Sequence, residues 1–204
     1  MNFKDFYIKI QILPKIVRLI NRKRLKNSDV TILTMNCLGG IIYHNLNLKF
    51  LSPTINMRFE DIRHFYKFCS NLNYYLSLPL EEISNGGGDF PVAKLGDIVI
   101  NMVHYKTFDI AREKWEERKK RMNFDDIYII ANDYVTDDET LSKEEIIAFG
   151  NLPYKVLVLC QDRHDDLPYT HYLGAKKLRK IMARNFMGLY GYELSFDVVK
   201  FLNT

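Results

Sequence analysis

Residues 31–40 read Thr-Ile-Leu-Thr-Met-Asn-Cys-Leu-Gly-Gly. The apolar and β-branched start predicts a buried β-strand, and a polar residue, a thiol and a glycine pair follow it before a helical pattern resumes at Ile41. A strand that turns sharply into a helix places backbone N–H groups and the positive end of the helix dipole beside the turn. A cysteine held there loses its proton more easily than a free thiol. The stretch therefore predicts a strand–helix corner suited to an anion or a reactive thiol.

Buried strands alternate with helical segments along the rest of the chain. Three further strands are predicted over residues 98–103, 127–131 and 155–160, and two long helices over residues 60–78 and 107–121. Some of the connections are short, which indicates that the strands do not all run in one direction. We therefore expect an α/β fold with a mixed, partly parallel sheet, forming a single domain over residues 29–204.

The composition is that of an ordinary globular protein, with 47% hydrophobic and 13% aromatic residues. No apolar run approaches the roughly 20 residues that span a bilayer, and no signal-peptide pattern opens the sequence. The three cysteines, Cys37, Cys69 and Cys160, are odd in number and far apart, so neither a disulfide framework nor a zinc ribbon is indicated. The expected location is a reducing cytoplasm, with membrane association left open.

Residues 1–28 are predicted to form a basic amphipathic helical arm. They carry eight basic side chains against one acidic residue, Asp5. Four apolar residues recur at helical spacing: Leu13, Ile16, Val17 and Ile20. Two interpretations stay open, an arm docked on the domain with a solvated basic edge, or peripheral contact with an anionic membrane. No basic–aromatic motif indicates a nucleic-acid partner.

Polar clusters follow four of the predicted strands: Asn36-Cys37, His104-Tyr105, Asn132-Asp133 and residues 161–164. Ligands of open α/β sheets bind outside the carboxyl ends of the strands, so these clusters are predicted to converge on one edge. Within that edge Cys37 is the candidate nucleophile and His104 the candidate base. The simpler alternatives are a small buried thiol and a histidine that is satisfied by backbone groups.

An arginine lies in line with the apolar face of the predicted helix 107–121. The face is formed by residues three and four apart: Phe108, Ala111, Trp115, Arg118 and Met122. An inward arginine needs a partner, which is expected to be a carboxylate such as Asp133 or an anionic ligand held in bidentate fashion.

Several segments together form an ordered set of motifs within residues 28–162: Asn36-Cys37-Leu38-Gly39-Gly40, Leu51-Ser52-Pro53-Thr54-Ile55-Asn56, His104-Tyr105 and Trp115-Glu-Glu-Arg118-Lys-Lys-Arg121. In these motifs the chain resembles a bacterial domain family of unknown function that is often labelled exopolysaccharide-biosynthesis-like. It departs from the family pattern at Leu38, where an aromatic residue is common. The resemblance implies a three-layer α/β sandwich and a place among surface-polysaccharide genes, which encode sugar and acyl transferases. It supplies no established activity.

The motif positions and strand ends together define the candidate site. The candidate substrate-binding residues are Asn36, Gly39, Gly40, Ser52, Thr54, Asn56, Tyr105, Trp115, Arg118, Arg121 and Asp133, beside the candidate catalytic residues His104 and Cys37. No metal ligand is assigned, and the cofactor is unknown.

The expected activity is transfer of a sugar or related group from a nucleotide sugar or glycan substrate. In it His104 deprotonates an acceptor hydroxyl, while Arg118 or Arg121 and the backbone of Gly39-Gly40 hold a diphosphate or carboxylate. Tyr105 or Trp115 lines the sugar or base. Two alternatives stay open, a Cys37-dependent acyl transferase or hydrolase, and a non-enzymatic protein that binds a glycan or a partner.

Overall fold

The structure is a computed structural model that describes residues 13–83, 89–136, 138–175, 178, 192 and 195–204. Within these residues the chain forms α1 (Leu13–Arg24), β1 (Thr31–Thr34), α2 (Leu38–Leu46), β2 (Arg58–Phe59), α3 (Ile62–Ser70), α4 (Leu72–Ser77), β3 (Glu81–Ile83), β4 (Val92–Leu95), β5 (Ile98–Asn101), α5 (Phe108–Lys119), β6 (Ile127–Asn132), α6 (Lys143–Gly150), β7 (Lys155–Cys160), β8 (Thr170–Tyr172) and α7 (Val198–Leu202).

The strands are divided between two four-stranded sheets. The first has the order β1-β6-β7-β8, and every neighbouring pair in it is parallel. The second has the order β2-β5-β4-β3, and every neighbouring pair in it is antiparallel. The predicted α/β class is therefore confirmed, and the mixed pairing that was expected is distributed over two sheets.

Apolar side chains cover both faces of the parallel sheet. Leu33 and Ile129 join one cluster with Phe59 and Ile100 of the antiparallel sheet. Residues on the opposite face of the same strands, such as Ile32, pack with α2 and α7 in a second cluster. Burial on both faces explains why β1 and β6 are continuously buried along their length, as parallel strands usually are.

A tyrosine closes the outer side of β1, which is an edge strand of the parallel sheet. The Ile32 N–H donates to Tyr43 Oη at 2.8 Å, and Tyr43 Oη donates to the Val30 carbonyl at 2.8 Å. The ring is fully buried, and burial raises the pKa of Tyr43 far above its ordinary value. The hydroxyl therefore stays protonated and satisfies two backbone groups that no other strand of the described residues reaches.

Two local predictions differ from the structure. The helix predicted over residues 60–78 is two helices, α3 and α4, because Asn71 between them adopts a non-helical backbone conformation (φ −130°, ψ 48°). Helix α2 begins at Leu38, so the glycine pair lies inside its first turn and does not precede it.

The predicted N-terminal arm is helical over Leu13–Arg24 and irregular over residues 25–28, and its residues 1–12 lie outside the described part of the chain. Helix α1 packs on α2, where Arg22 Nε donates to the Asn45 carbonyl at 2.8 Å. In the described part of the chain, no helix is both long and apolar enough to cross a membrane.

Candidate functional site

The ends of three parallel strands lie at one edge of the first sheet. Thr34 pairs with Ile130, and Asn132 pairs with Leu159, so the segments that follow β1, β6 and β7 emerge side by side. The predicted convergence holds for these three polar clusters. The fourth strand, β5, belongs to the antiparallel sheet, and its following loop reaches the β1 end by a separate route through Tyr105.

The corner between β1 and α2 is held together by its own side chains. Leu38 N–H donates to Asn36 Oδ1 and Gly39 N–H donates to Thr34 Oγ1, each at 3.0 Å. Thr34 Oγ1 in turn donates to the Asn36 carbonyl at 2.6 Å. Two of the N–H groups expected to receive an anion are therefore already satisfied, which corrects the expectation for the Gly39 backbone.

The glycine pair allows α2 to approach its neighbours closely. A Cβ on Gly39 would lie 2.9 Å from Thr34 Oγ1, and one on Gly40 would lie 3.3 Å from Ile55 Cγ2. Such distances are shorter than ordinary van der Waals contact. The pair therefore serves packing of the helix against β1 and against the turn at residues 52–56.

That turn is buried and largely self-satisfied. Ser52 Oγ and Thr54 Oγ1 are 2.9 Å apart, and Thr54 N–H donates to Ser52 Oγ at 3.3 Å. Asn56 is half-buried and adopts a left-handed backbone conformation (φ 64°), which asparagine tolerates better than most residues. The hydroxyl groups of Ser52 and Thr54 stabilise this turn. The Ile55 carbonyl within it accepts a hydrogen bond from Arg118.

Arg118 is buried, with 6% of its surface exposed, and its partners are not carboxylates. Its Nη1 donates to the Ile55 carbonyl at 3.1 Å and to Tyr105 Oη at 2.6 Å, and the guanidinium lies 5.3 Å from the Phe50 ring centroid. Tyr105 Oη donates to the same carbonyl at 3.0 Å. Within the described residues Arg118 makes no ion pair, so the predicted pairing with Asp133 is not present.

Burial raises the pKa of Tyr105, while the neighbouring Arg118 guanidinium opposes that rise and the Cys37 thiol adds to it. The tyrosine therefore lies close to the end of β1 as well as to Arg118. The residues that join these groups, Phe50 and the Ile55 carbonyl, were not identified from the sequence. A backbone acceptor has no side-chain signature that a sequence pattern could show.

Cys37 is the accessible thiol of the chain. All three cysteines are described, and Cys37 is half-buried at the N-cap of α2 whereas Cys69 and Cys160 are buried. Burial raises the pKa of Cys69 and also that of Cys160, to about 12, so both stay protonated at neutral pH. Cys37 is therefore the cysteine expected to react in the folded protein.

Asp133 follows β6 and is the most perturbed carboxyl group at this edge. It is 2% exposed; its Oδ2 accepts the Gln161 N–H at 2.7 Å, and its Oδ1 is buried without a hydrogen-bond partner. Burial raises its pKa to about 6, and the Asp162 charge adds to the rise, while the Gln161 N–H and His164 oppose it. A carboxyl group with such a pKa can accept and release a proton near neutral pH.

Three predicted site residues, His104, Trp115 and Arg121, lie apart from the cluster of Arg118, Tyr105 and the strand ends. His104 is exposed and has no hydrogen bond or ion pair within the described part of the chain, so its expected pairing with Cys37 is not seen. Trp115 is fully buried and packs on Phe68, with ring centroids 6.1 Å apart, so its ring offers no surface to a ligand.

Arg121 lies near the opposite edge of the parallel sheet. It pairs with Glu117 at 3.0 Å and lines a cavity of about 430 Å³ with Lys49 and Asp29, which precedes β1. Separately, no group of three or more His, Cys, Asp or Glu side chains among the described residues is arranged to hold a metal ion.

The fold and this edge define an α/β protein with a parallel sheet whose strands end in polar residues. The chain belongs to the family described as "Domain of unknown function (DUF1919)", whose sequence profile matches residues 8–203. It is also similar to an uncharacterized protein of Haemophilus influenzae, 31% identical over 196 residues that cover 90% of each chain. Neither description names an activity, and neither carries the exopolysaccharide label that the sequence resemblance suggested.

Proposed function

We propose that this protein transfers a sugar or related group from an activated donor to a hydroxyl acceptor during assembly of a bacterial surface polysaccharide. The observation that carries the proposal is Asp133, a buried carboxyl group with an unpartnered oxygen and a pKa raised to about 6, at the carboxyl edge of a parallel sheet. Titratable groups perturbed in this way cluster at functional sites.

The proposed chemistry uses Asp133 as the general base. The acceptor oxygen forms the bond to the transferred group, the bond from that group to the donor phosphate breaks, and the acceptor proton passes to Asp133. An ideal base has a pKa near the operating pH, which is the range that burial gives this carboxyl group. His104, which was the candidate base from the sequence, is exposed and lies apart from this cluster, so the proposal gives it no part in the proton transfer.

Arg118 supports an anionic donor. The described contacts of its guanidinium to protein acceptors engage Nη1 alone, and no carboxylate neutralises its charge in an ion pair among the described residues. A buried arginine is well suited to a phosphate because its remaining donors form a planar fork. The choice of a polysaccharide pathway rests on the sequence resemblance, which places such chains among surface-polysaccharide genes.

The test begins with thermal unfolding of the intact protein in the presence of nucleotide sugars, free nucleotides, coenzyme A and acyl-coenzyme A, with and without divalent cations. A ligand at about a hundred times its Kd stabilises the folded state by about 2.7 kcal/mol, which raises Tm by several degrees. The proposal expects a response to one class of nucleotide sugar. The absence of any nucleotide-sugar response would contradict the proposal.

The role of Asp133 is then tested by transfer assays with the responding donor. Asp133→Asn should lower kcat by about a hundredfold or more, because general base catalysis contributes on that order. The matched control is Asp165→Asn, which neutralises an exposed carboxylate in the loop after β7 and should keep wild-type turnover. Equal kcat values for Asp133→Asn and the wild type would show that Asp133 is not the base.

A second candidate function is a Cys37-dependent acyl transferase or hydrolase, and it is favoured by the exposure of Cys37 alone among the cysteines. We expect iodoacetamide to label Cys37 much faster than Cys69 and Cys160 in the folded protein, as measured by peptide mass spectrometry. Labelling in denaturant should remove the difference and serves as the control. An acyl-coenzyme A response that disappears in Cys37→Ser would establish this candidate, and full activity of that variant would exclude it.

A further inference from the structure

Helix α1 is amphipathic, yet it docks on the protein through its less apolar side. Its exposed large aliphatic side chains are Ile16, Leu19 and Ile20, which are 45%, 56% and 50% exposed. At 3.6 residues per turn these three lie on one face of the helix, and Lys23 continues the same row. An amphipathic surface helix normally turns its apolar stripe toward the core, so this orientation is the reverse of the usual one.

Polar contacts join α1 to the rest of the protein. Asn21 is buried on the side away from the apolar row, where it accepts from Arg24 Nη1 of the same helix at 3.1 Å. Arg22 Nε donates to the Asn45 carbonyl of α2 at 2.8 Å, and Arg24 pairs with Asp197 at 2.5 Å. These contacts fix the rotation of the helix about its axis, and they keep the apolar row pointing away from the domain.

We propose that α1 lies on an anionic membrane surface, with Ile16, Leu19 and Ile20 entering the interface and Lys15 and Lys23 beside the lipid headgroups. The inference is independent of the proposed transferase activity. It selects between the two interpretations of the arm that the sequence left open, and it assigns the membrane contact to one face of one helix.

Charge identifies the occupant of this face. Helix α1 contains no acidic residue, and Lys15 and Lys23 are exposed at either end of the apolar row. Helices with an apolar face and basic flanks bind in the plane of anionic bilayers. In a two-fold dimer formed through this face, the basic flanks of both copies would oppose each other. A nucleic acid would be attracted by the charge but would leave the three aliphatic side chains without apolar contacts.

The experiment measures binding of the full chain to vesicles by flotation. Vesicles of phosphatidylcholine alone are compared with vesicles that also contain phosphatidylglycerol. We expect binding to the anionic vesicles, and a decline of that binding in 1 M salt, where the Debye length falls to about 3 Å. Equal binding to both compositions, or binding to neither, would overturn the proposal.

Two pairs of variants separate the apolar and the charge contributions. Leu19→Gln should weaken partitioning into anionic vesicles about tenfold, because it removes one large aliphatic side chain from the interface. Ile110→Gln is its control, since Ile110 is a large aliphatic residue of comparable exposure (45%, against 56% for Leu19) on another helix, α5. Lys23→Glu should weaken partitioning about tenfold or more, whereas Lys120→Glu, an equal charge change at the end of α5, should not.

The variants also test whether a second copy of the chain, and not a membrane, covers the apolar face of α1. Circular dichroism of each variant, at wild-type intensity, confirms that α1 and the domain remain folded. If Leu19→Gln and Ile110→Gln weakened vesicle binding equally, the face on α1 would not be the membrane contact. If the wild type were instead a dimer in solution that Leu19→Gln dissociated, with no vesicle binding, the face would belong to a second copy and the proposal would be wrong.

Discussion

Asp133 is a buried carboxyl group whose ionisation in the folded protein costs stability. Its pKa is raised from 3.8 to about 6 because the folded protein buries it and leaves Oδ1 without a donor. Between these two pH values the folded chain binds more protons than the unfolded chain does. The free energy of unfolding therefore falls as the pH rises through this range, and the loss is complete above about pH 6.

This linkage predicts the behaviour of Asp133→Asn. The amide is neutral at every pH and still offers an oxygen to the Gln161 N–H. At pH 7.5 we expect the variant to be more stable than the wild type by up to about 3 kcal/mol, since each unit of pKa shift corresponds to about 1.4 kcal/mol. At pH 4 the advantage should shrink markedly. Urea unfolding of both proteins at the two pH values measures it.

Asp165, which is exposed in the loop after β7, provides the control for this prediction. Asp165→Asn removes an exposed carboxylate that does not act on Asp133, so its stability relative to the wild type should vary little between the two pH values. A difference between Asp133→Asn and the wild type that did not change with pH would mean that Asp133 is not charged at a cost in the folded protein.

At the scale of elements, the β1–α2 corner depends on the absence of a side chain at Gly39. Thr34 Oγ1 accepts from Gly39 N–H and donates to the Asn36 carbonyl, so the threonine is held in one rotamer directly beside the helix. Because both bonds use the same oxygen, the threonine cannot turn away from an added methyl group without losing them.

Gly39→Ala is therefore expected to destabilise the protein although alanine is the better helix former. Propensity alone would favour alanine by about 1 kcal/mol, but overpacking against Thr34, 2.9 Å from the new Cβ, should cost about 1–3 kcal/mol, so the net loss should reach up to about 2 kcal/mol. Urea unfolding measures the change. Gly40→Ala is the matched control, with its nearest atom at 3.3 Å on the Ile55 side chain, and should cost less. Equal or greater stability of Gly39→Ala would show that Thr34 can adjust.

Sequence patterns predict those elements whose determining contacts lie between residues close together in the chain. The four residues Ser142-Lys-Glu-Glu145 have the sequence pattern of a capping box, and the structure forms both of its hydrogen bonds. The strands β1, β6 and β7 were also visible as buried apolar runs. The break at Asn71 was missed because the apolar periodicity continues across it, so the pattern carried no sign that the helix axis changes there.

At the scale of the whole molecule, the layered class could be predicted but the division into two sheets could not. Alternating strands and helices indicate an α/β fold, whereas strand partners are chosen by packing between distant segments. Strand β2 has only two residues and pairs with β5, about forty positions later in the chain. A hydrophobic periodicity cannot show such a pairing.

The candidate site has the same limit. Sequence patterns identified Arg118 as an inward arginine and Cys37 as a thiol at a strand end. The structure agrees: Arg118 is buried on α5, and Cys37 follows β1. The patterns could not identify the Ile55 carbonyl as the acceptor of Arg118, 63 positions away, because every residue has a carbonyl. Nor could they show that Thr34 and Asn36 already occupy the N–H groups of the corner.

The tyrosine on the outer side of β1 has a consequence for association between chains. An open strand edge is a template on which a foreign peptide, or the same strand of another molecule, can add by backbone pairing. Here Tyr43, which projects from α2, already bonds the Ile32 N–H and the Val30 carbonyl, and its ring is fully buried. An incoming strand would have to expel that ring before it could pair at these positions. The fold therefore guards this edge against β-augmentation and sheet-to-sheet aggregation with a single hydroxyl group.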